Sequence, residues 1–424
     1  MIVKVGDVTS SSMSRPFAMP LAKVVLPAPR PPLQAITAPP GADLPISSPR
    51  ARVSSLFRVM TVFSVVSSPN VSSRRVSSRA QYSALPRSCA SIDQNLYLVI
   101  GIGLPQRTTL VSWRKRMTES GLRFKASDGK HIAYLKVTPS SKARAVVVIG
   151  HGMNDYGGRF LDLAESLASI GLAAYLPDLR GHGDTDRDAD RGYLADTNGF
   201  ERVLDDLIEL GDFAAKEQGG LPLYYFGHSF GALLGMALCS VYGKYLEGVV
   251  LSAPPENPTP ILDFFGGIVV RLGITLKGAH APAHLPRSMT FGAYAKTVPN
   301  ARTGSDWISR DQKVVDAYIA DPKCNFVCSY GFYDDLMRGL RKVYSDNFLE
   351  SVPTSLPIYL FCGSKDPVIG MRAGCEKLAR NIKELGLVDF ESKCYEGGRH
   401  ESLNELNRAE VLSDIGDWFL RHLA

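Results

Sequence analysis

From about residue 120 the chain alternates short apolar runs with stretches of helical spacing, and this alternation narrows the fold more than any other feature. The runs are His131–Val137, Ala145–Ile149, Ala173–Leu176, Leu223–Phe226, Gly248–Ser252, Pro357–Cys362 and Phe390–Tyr395. Several are uninterrupted, the pattern of strands buried on both faces. Between them Phe160, Leu163, Ala164 and Leu167 share one helical face, as do Val411, Ile415, Trp418 and Phe419. Strand and helix in regular succession predict an α/β fold with a doubly wound, mostly parallel sheet. The succession stops between about 256 and 350. There Ile261, Phe264, Phe265, Ile268, Val269 and Leu272 repeat at helical spacing, and Val314, Val315 and Tyr318 do so again. A helical insertion over the sheet is expected.

Residues 1–116 have another character. They hold 15 Lys/Arg against 3 Asp/Glu, a balance of +12, whereas residues 117–424 hold 33 against 39, a balance of −6. They also carry 19 Ser and 13 of the 27 Pro. Such a segment blocks helix and buries too little apolar surface to offset its ordering entropy. Three readings stay open: a disordered extension, an organelle transit peptide, which is likewise Arg- and Ser-rich and acid-poor, or residues upstream of a native start at Met117. The expected organisation is therefore 1–116 extension, 117–255 and 352–424 core, and 256–351 helical cap.

Several function classes are excluded. Nucleic-acid binding needs a basic folded face, and the folded portion is acidic. No stretch of 18 or more apolar residues occurs, so none is long enough to span a bilayer. Peripheral contact through the basic tail is the most a membrane could offer. The seven cysteines are odd in number and lack C-x-x-C spacing, so reduced thiols and a cytoplasmic location are expected, with the extension leaving targeting open. Cys324 and Cys328 stand at i, i+4, but no His pair accompanies them and no metal site is assigned.

Gly227-His228-Ser229-Phe230-Gly231 follows the run Leu223–Phe226 and precedes a good helix, Ala232–Leu238. G-x-S-x-G at a strand-to-helix turn is a nucleophile elbow. The turn lifts the Ser229 hydroxyl above the sheet, and both flanking positions are Gly because side chains there would collide. An alcohol needs a base. His400, in Gly397-Gly398-Arg399-His400-Glu401-Ser402, lies after the last strand and before the final helix. The base needs a carboxylate to fix its tautomer, and Asp366 lies just beyond the strand Pro357–Cys362. The alternative is that Asp366 only caps the helix starting near Met371. Chain order is Ser229, Asp366, His400, the order expected of such an elbow. The oxyanion donors are assigned to the N–H groups of Phe230 and Met153, the latter after the strand Val146–Ile149 and His151-Gly152. His151 and the turn Asp178-Leu179-Arg180-Gly181-His182-Gly183-Asp184 are given structural roles. Phe264, Phe265, Ile268, Val269 and Leu272 are expected to line an acyl tunnel, or else to pack on the sheet.

These motifs in this order, together with Gly157-Gly158-Arg159-Phe160, Gly363–Pro367 and Gly398-Arg399-His400-Glu401, resemble the α/β-hydrolase superfamily. Residues 117–424 are most similar to its monoacylglycerol lipase and lysophospholipase-type serine hydrolases. Ser309-Arg310-Asp311 and Ala320-Asp321-Pro322 are also family-like. The resemblance implies hydrolysis of a carboxylic ester of a single-chain acyl lipid, no cofactor, and a helical cap over an acyl tunnel. A serine aminopeptidase-like reading, with Glu256 or Asp263 receiving the substrate amine, and a non-catalytic ligand-binding reading remain as alternatives. Residues 1–116 match nothing in the family.

Overall fold

In a computed structural model of the protein, residues 118–187 and 190–423 are described. The expectations for residues 1–116 lie outside them. One eight-stranded sheet runs through the described residues, in the order β1-β2-β4-β3-β5-β6-β7-β8. Its strands are β1 Thr118–Lys125, β2 His131–Val137, β3 Ala145–Gly150, β4 Leu172–Pro177, β5 Leu223–His228, β6 Gly248–Ser252, β7 Ile358–Gly363 and β8 Phe390–Tyr395. The β1–β2 and β2–β4 ladders are antiparallel and the other five are parallel. Strands β3 to β7 are buried residue after residue, which is why they read as apolar runs rather than as alternation. The strand that the sequence does not signal is β1. Its TESGLRFK is half exposed and polar, and its register slips between Glu119 and Leu122.

Period-two geometry divides the core between the two faces. Along β5, Tyr224 and Phe226 join one cluster while Leu223 and Tyr225 join the other. Helices α1 Leu161–Ser169 and α9 Arg408–His422 cover the first face with Leu163, Leu167, Val411, Ile415, Trp418 and Phe419. Helices α2 Gly199–Glu217 and α3 Phe230–Val241 cover the second. The buried face of α2 reads Phe200, Val203, Leu204, Leu207, Leu210 and Ala214, the three-and-four spacing of an amphipathic helix.

Between β6 and β7 lie α4 Pro260–Lys277, α5 His284–Lys296, α6 Gln312–Ala320 and α7 Tyr330–Val343. Pro260 opens α4 at a position where its missing N–H costs nothing, and the Thr259 hydroxyl caps it by accepting from Leu262 N. α4 buries only Val270 and Gly273. A Cβ on Gly273 would fall 2.1 Å from the Tyr330 ring, so the absence of a side chain there lets α4 lie directly on α7. Beyond α7 come a single helical turn, Asp346–Leu349, the helix α8 Met371–Glu384 after β7, and α9. No helix among the described residues is long and apolar enough to cross a membrane.

The expectation of reduced thiols fails at one pair. Cys362 on β7 and Cys375 on α8 form a disulfide. Their side chains meet because α8 packs back onto the strand that precedes it, a contact that no local spacing announces. The Cys394 sulfur on β8 lies within 4.8 Å of both. Cys324 and Cys328 stand in the loop before α7 and belong to different buried clusters.

Candidate active site

The site forms where β3, β5, β7 and β8 end. Ser229, between β5 and α3, has φ 53° and ψ −114°, a conformation that a non-glycine residue holds only when its surroundings impose it. The imposing contacts are close. A Cβ at position 227 would come 2.2 Å from the Gly231 carbonyl oxygen, and one at 231 would come 2.2 Å from that of Gly150. Ser229 N–H donates to Ser252 O on β6 at 2.9 Å, and the Ser229 carbonyl accepts from Leu233 N at 3.0 Å. The hydroxyl therefore stands at the head of α3, where the helix N–H groups favour negative charge.

Asp366 lies in the turn after β7 and is wholly buried. One carboxylate oxygen pairs with His400 Nδ1 at 3.0 Å and the other accepts from Val368 N at 2.9 Å. The start of α8 is held by the Asp366 main-chain oxygen, which accepts from Met371 N at 2.7 Å, so the carboxylate is left for the histidine. With Nδ1 occupied in this way, Nε2 is the nitrogen free to act toward Ser229. Ser229 and His400 line one cavity together with Gly152, Met153, Phe230, Phe291, Tyr294, Trp307, Tyr318 and Tyr333.

The loop after β3 passes over Ser229: a Cβ on Gly152 would lie 3.2 Å from the Ser229 Cβ. Its path is held by the motifs assigned structural roles. His151 Nε2 accepts from Leu179 N at 2.9 Å, and His182 Nε2 accepts from Asn154 N at 3.2 Å. The Asp178 carboxylate accepts from Gly157 N at 2.8 Å and Asp184 N at 2.7 Å. Burial holds all three nearby imidazoles neutral: His151 falls well below the ordinary histidine range, His182 to about 4 and His228 to about 3. The neighbouring His400 adds to the effect at His228. Neutral rings can accept the loop hydrogen bonds that protonated ones would refuse.

The stripe on α4 is the main correction. Phe264, Phe265, Ile268 and Leu272 are 63%, 59%, 40% and 55% exposed, Val269 is half-buried, and none of the five lines the cavity. Helical spacing marks an apolar face but cannot say which way it turns. Here Val270 and Gly273 take the inward side. The aromatic wall comes instead from Phe291, Tyr294, Trp307, Tyr318 and Tyr333, whose spacing carries no marked stripe.

Sequence reasoning also missed a buried ionic cluster. Arg159 Nη1 and Nη2 donate to the two Glu401 oxygens at 2.8 and 2.7 Å, and Nη1 stands 3.2 Å from Asp155 Oδ1. Asp155 and Glu401 line the cavity. Burial pushes the Asp155 carboxyl up to about 6 against the pull of Arg159, while at Glu401 the guanidinium outweighs burial and holds the carboxyl low. The signal was present in Gly157-Gly158-Arg159 and His400-Glu401, but only the fold brings the two loops together.

The sheet order, the sharp turn at Ser229 between β5 and α3, and the Asp366–His400 pair beyond β7 and β8 are the arrangement of an α/β-hydrolase. The family model Hydrolase_4, described as serine aminopeptidase, S33, matches residues 141–407. That is more than half of the chain, and the chain belongs to this family. Among its relatives, the monoacylglycerol lipase of Mycolicibacterium smegmatis is 28% identical over 314 residues, covering 72% of this chain and 99% of the relative. The monoglyceride lipase of Mus musculus is 25% identical over 307 residues, covering 70% and 89%. A thermostable carboxyl esterase from Bacillus coagulans, solved with glycerol, superposes with a TM-score of 0.67 at 24% identity, covering 72% of this chain and 99% of that one. This last likeness concerns the fold. The protein is a hydrolase, and its named relatives are carboxylic ester hydrolases.

Proposed function

We propose that the protein cleaves the carboxylic ester of a single-chain acyl lipid, a monoacylglycerol or lysophospholipid, through an acyl-enzyme. His400 Nε2 takes the Ser229 proton as Oγ attacks the ester carbonyl. The Met153 and Phe230 N–H groups receive the oxyanion; Phe230 opens α3, so its N–H has no intrahelical acceptor. The tetrahedral adduct collapses, and the leaving alkoxide takes the proton from His400. Water, deprotonated by the same imidazole, then attacks the acyl carbon, releases the fatty acid and returns the proton to Ser229.

One observation carries this reading: Ser229 and His400 open onto a cavity whose wall is mostly aromatic and aliphatic, suited to one acyl chain. The names of the M. smegmatis and M. musculus relatives support the same substrate class. The peptidase reading is less well supported. Glu256 faces a separate cavity with Tyr344 and Lys377, and Asp263 is paired with Arg341 at 2.8 Å. The carboxylates that do line the catalytic cavity, Asp155 and Glu401, are committed to Arg159. The exposed face of α4 we assign to contact with the lipid aggregate that presents the substrate.

The test pairs covalent labelling with a substrate screen. A fluorophosphonate should label the wild type and not Ser229→Ala, and hydrolysis of monoacylglycerols or lysophospholipids should exceed that of aminoacyl p-nitroanilides. Equal labelling of both proteins, or turnover of the anilides alone, overturns the proposal.

A further inference from the structure

Three sulfurs meet where β7, β8 and α8 pack together. Cys362 on β7 and Cys394 on β8 are register partners on adjacent parallel strands, so their side chains leave the same face of the sheet. Helix α8 lays Cys375 on that face, where it bonds Cys362. The three sulfurs lie within 4.8 Å of one another. The bond closes the segment 362–375, which carries Asp366.

The three differ in access. Cys362 and Cys375 are 0% and 3% exposed, which shields their bond from a thiol arriving in solution. Cys394 is half-buried and sits on β8, the edge strand of the sheet. The other free cysteines among the described residues, Cys239, Cys324 and Cys328, are buried. Burial raises the Cys394 thiol above the ordinary cysteine range, with the Arg372 guanidinium pulling the other way. Its advantage is therefore position: a sulfur held beside a disulfide attacks it at a high effective concentration.

We propose that Cys394 is the entry point of a thiol–disulfide relay, through which a small thiol in solution reduces the buried Cys362–Cys375 bond. The Cys394 thiolate attacks Cys362 Sγ. A Cys362–Cys394 bond forms, the Cys362–Cys375 bond breaks, and the electron pair leaves on Cys375 Sγ, which takes up the proton that Cys394 gave up. The disulfide now contains a half-buried cysteine at the sheet edge. A small thiolate attacks Cys394 Sγ and forms a mixed disulfide there, while Cys362 leaves as thiolate and is protonated. A second small thiolate attacks the outer sulfur of the mixed disulfide and returns Cys394 as a thiol. Two small thiols are oxidised to one disulfide, the Cys362–Cys375 pair gains two electrons and two protons, and Cys394 is unchanged.

The relay is independent of the ester substrate proposed above. Its test follows the full chain in reduced glutathione, with samples quenched in acid, alkylated and read by peptide mass spectrometry. The bond should be reduced at least about threefold faster in wild type than in Cys394→Ser. Early wild-type samples should hold a Cys362–Cys394 bond or glutathione on Cys394. That second reading needs no variant, so a Cys394→Ser protein that unfolds does not leave the question open. A smaller difference in rate with a folded variant overturns the relay. So does loss of the wild-type bond with neither early species, or with glutathione first on Cys362 or Cys375.

Discussion

Ser229 and Asp366 show how much of the chemistry is decided residue by residue. The serine occupies a backbone conformation that only the close packing of Gly227 and Gly231 permits. Asp366 divides its bonds, with main chain to the start of α8 and carboxylate to His400. Asp366→Asn keeps the shape of that turn but offers an amide where the imidazole needs an acceptor. Turnover should fall on the order of 10⁴-fold while the melting temperature changes little. Near wild-type turnover would mean that another carboxylate orients His400.

At the scale of elements, two loops that follow different strands are tied by one buried cation. Arg159, in the turn before α1, bridges Asp155 and Glu401, and Glu401 follows His400, the base in the proposed mechanism. Removing the guanidinium leaves two carboxylates buried together without compensation. Arg159→Met should cost roughly 3–5 kcal/mol in urea unfolding and should lower turnover, since the His400 loop loses an anchor. A loss below about 1 kcal/mol in that titration would show that the pair is solvated well enough to stand alone. Helix α4 illustrates the opposite case, an element whose apolar side chains are largely turned to solvent and contribute little to the core.

The whole molecule should carry a pH signature from its buried imidazoles. His151, His182 and His228 remain neutral in the fold to well below the ordinary histidine value, His182 to about 4 and His228 to about 3. Unfolding frees them to bind protons near 6.5, so their contribution is complete above that pH and is lost as pH falls through 6 toward 4. Asp155, raised to about 6, acts in the other sense over the lower part of that window. Asp178, Asp206 and Asp335, whose carboxyls burial also raises, act with Asp155, and the three imidazoles leave a net loss of stability between pH 6.5 and 5.5. Denaturant midpoints measured across that range check the sign, and a flat profile would contradict it. A second expectation at this scale concerns length. Among the described residues the sheet begins at Thr118, and every residue assigned to the triad and oxyanion hole follows residue 150. A chain shortened to start at Met117 should be soluble, melt within about 2 °C of the full chain and keep its ester turnover. An insoluble or inactive product would make the first 116 residues part of the folded enzyme.

What the sequence determined by itself is whatever depends on neighbours in the chain. The parallel strands were legible because burial on both faces demands unbroken apolar runs. The elbow was legible because a strand, the five-residue motif Gly227–Gly231 and a helix follow one another directly in the chain. Asp366 and His400 could be placed because each follows its strand directly. Edge strand β1 was not legible, since a half-exposed strand needs no apolar run. Nor was the direction in which the α4 stripe faces, because helical spacing defines a face only relative to its own axis. The Cys362–Cys375 bond and the Arg159 bridge join residues from separate elements. Only packing of the loops and of α8 against the sheet could decide them, because no local pattern records which distant side chains a buried surface will meet.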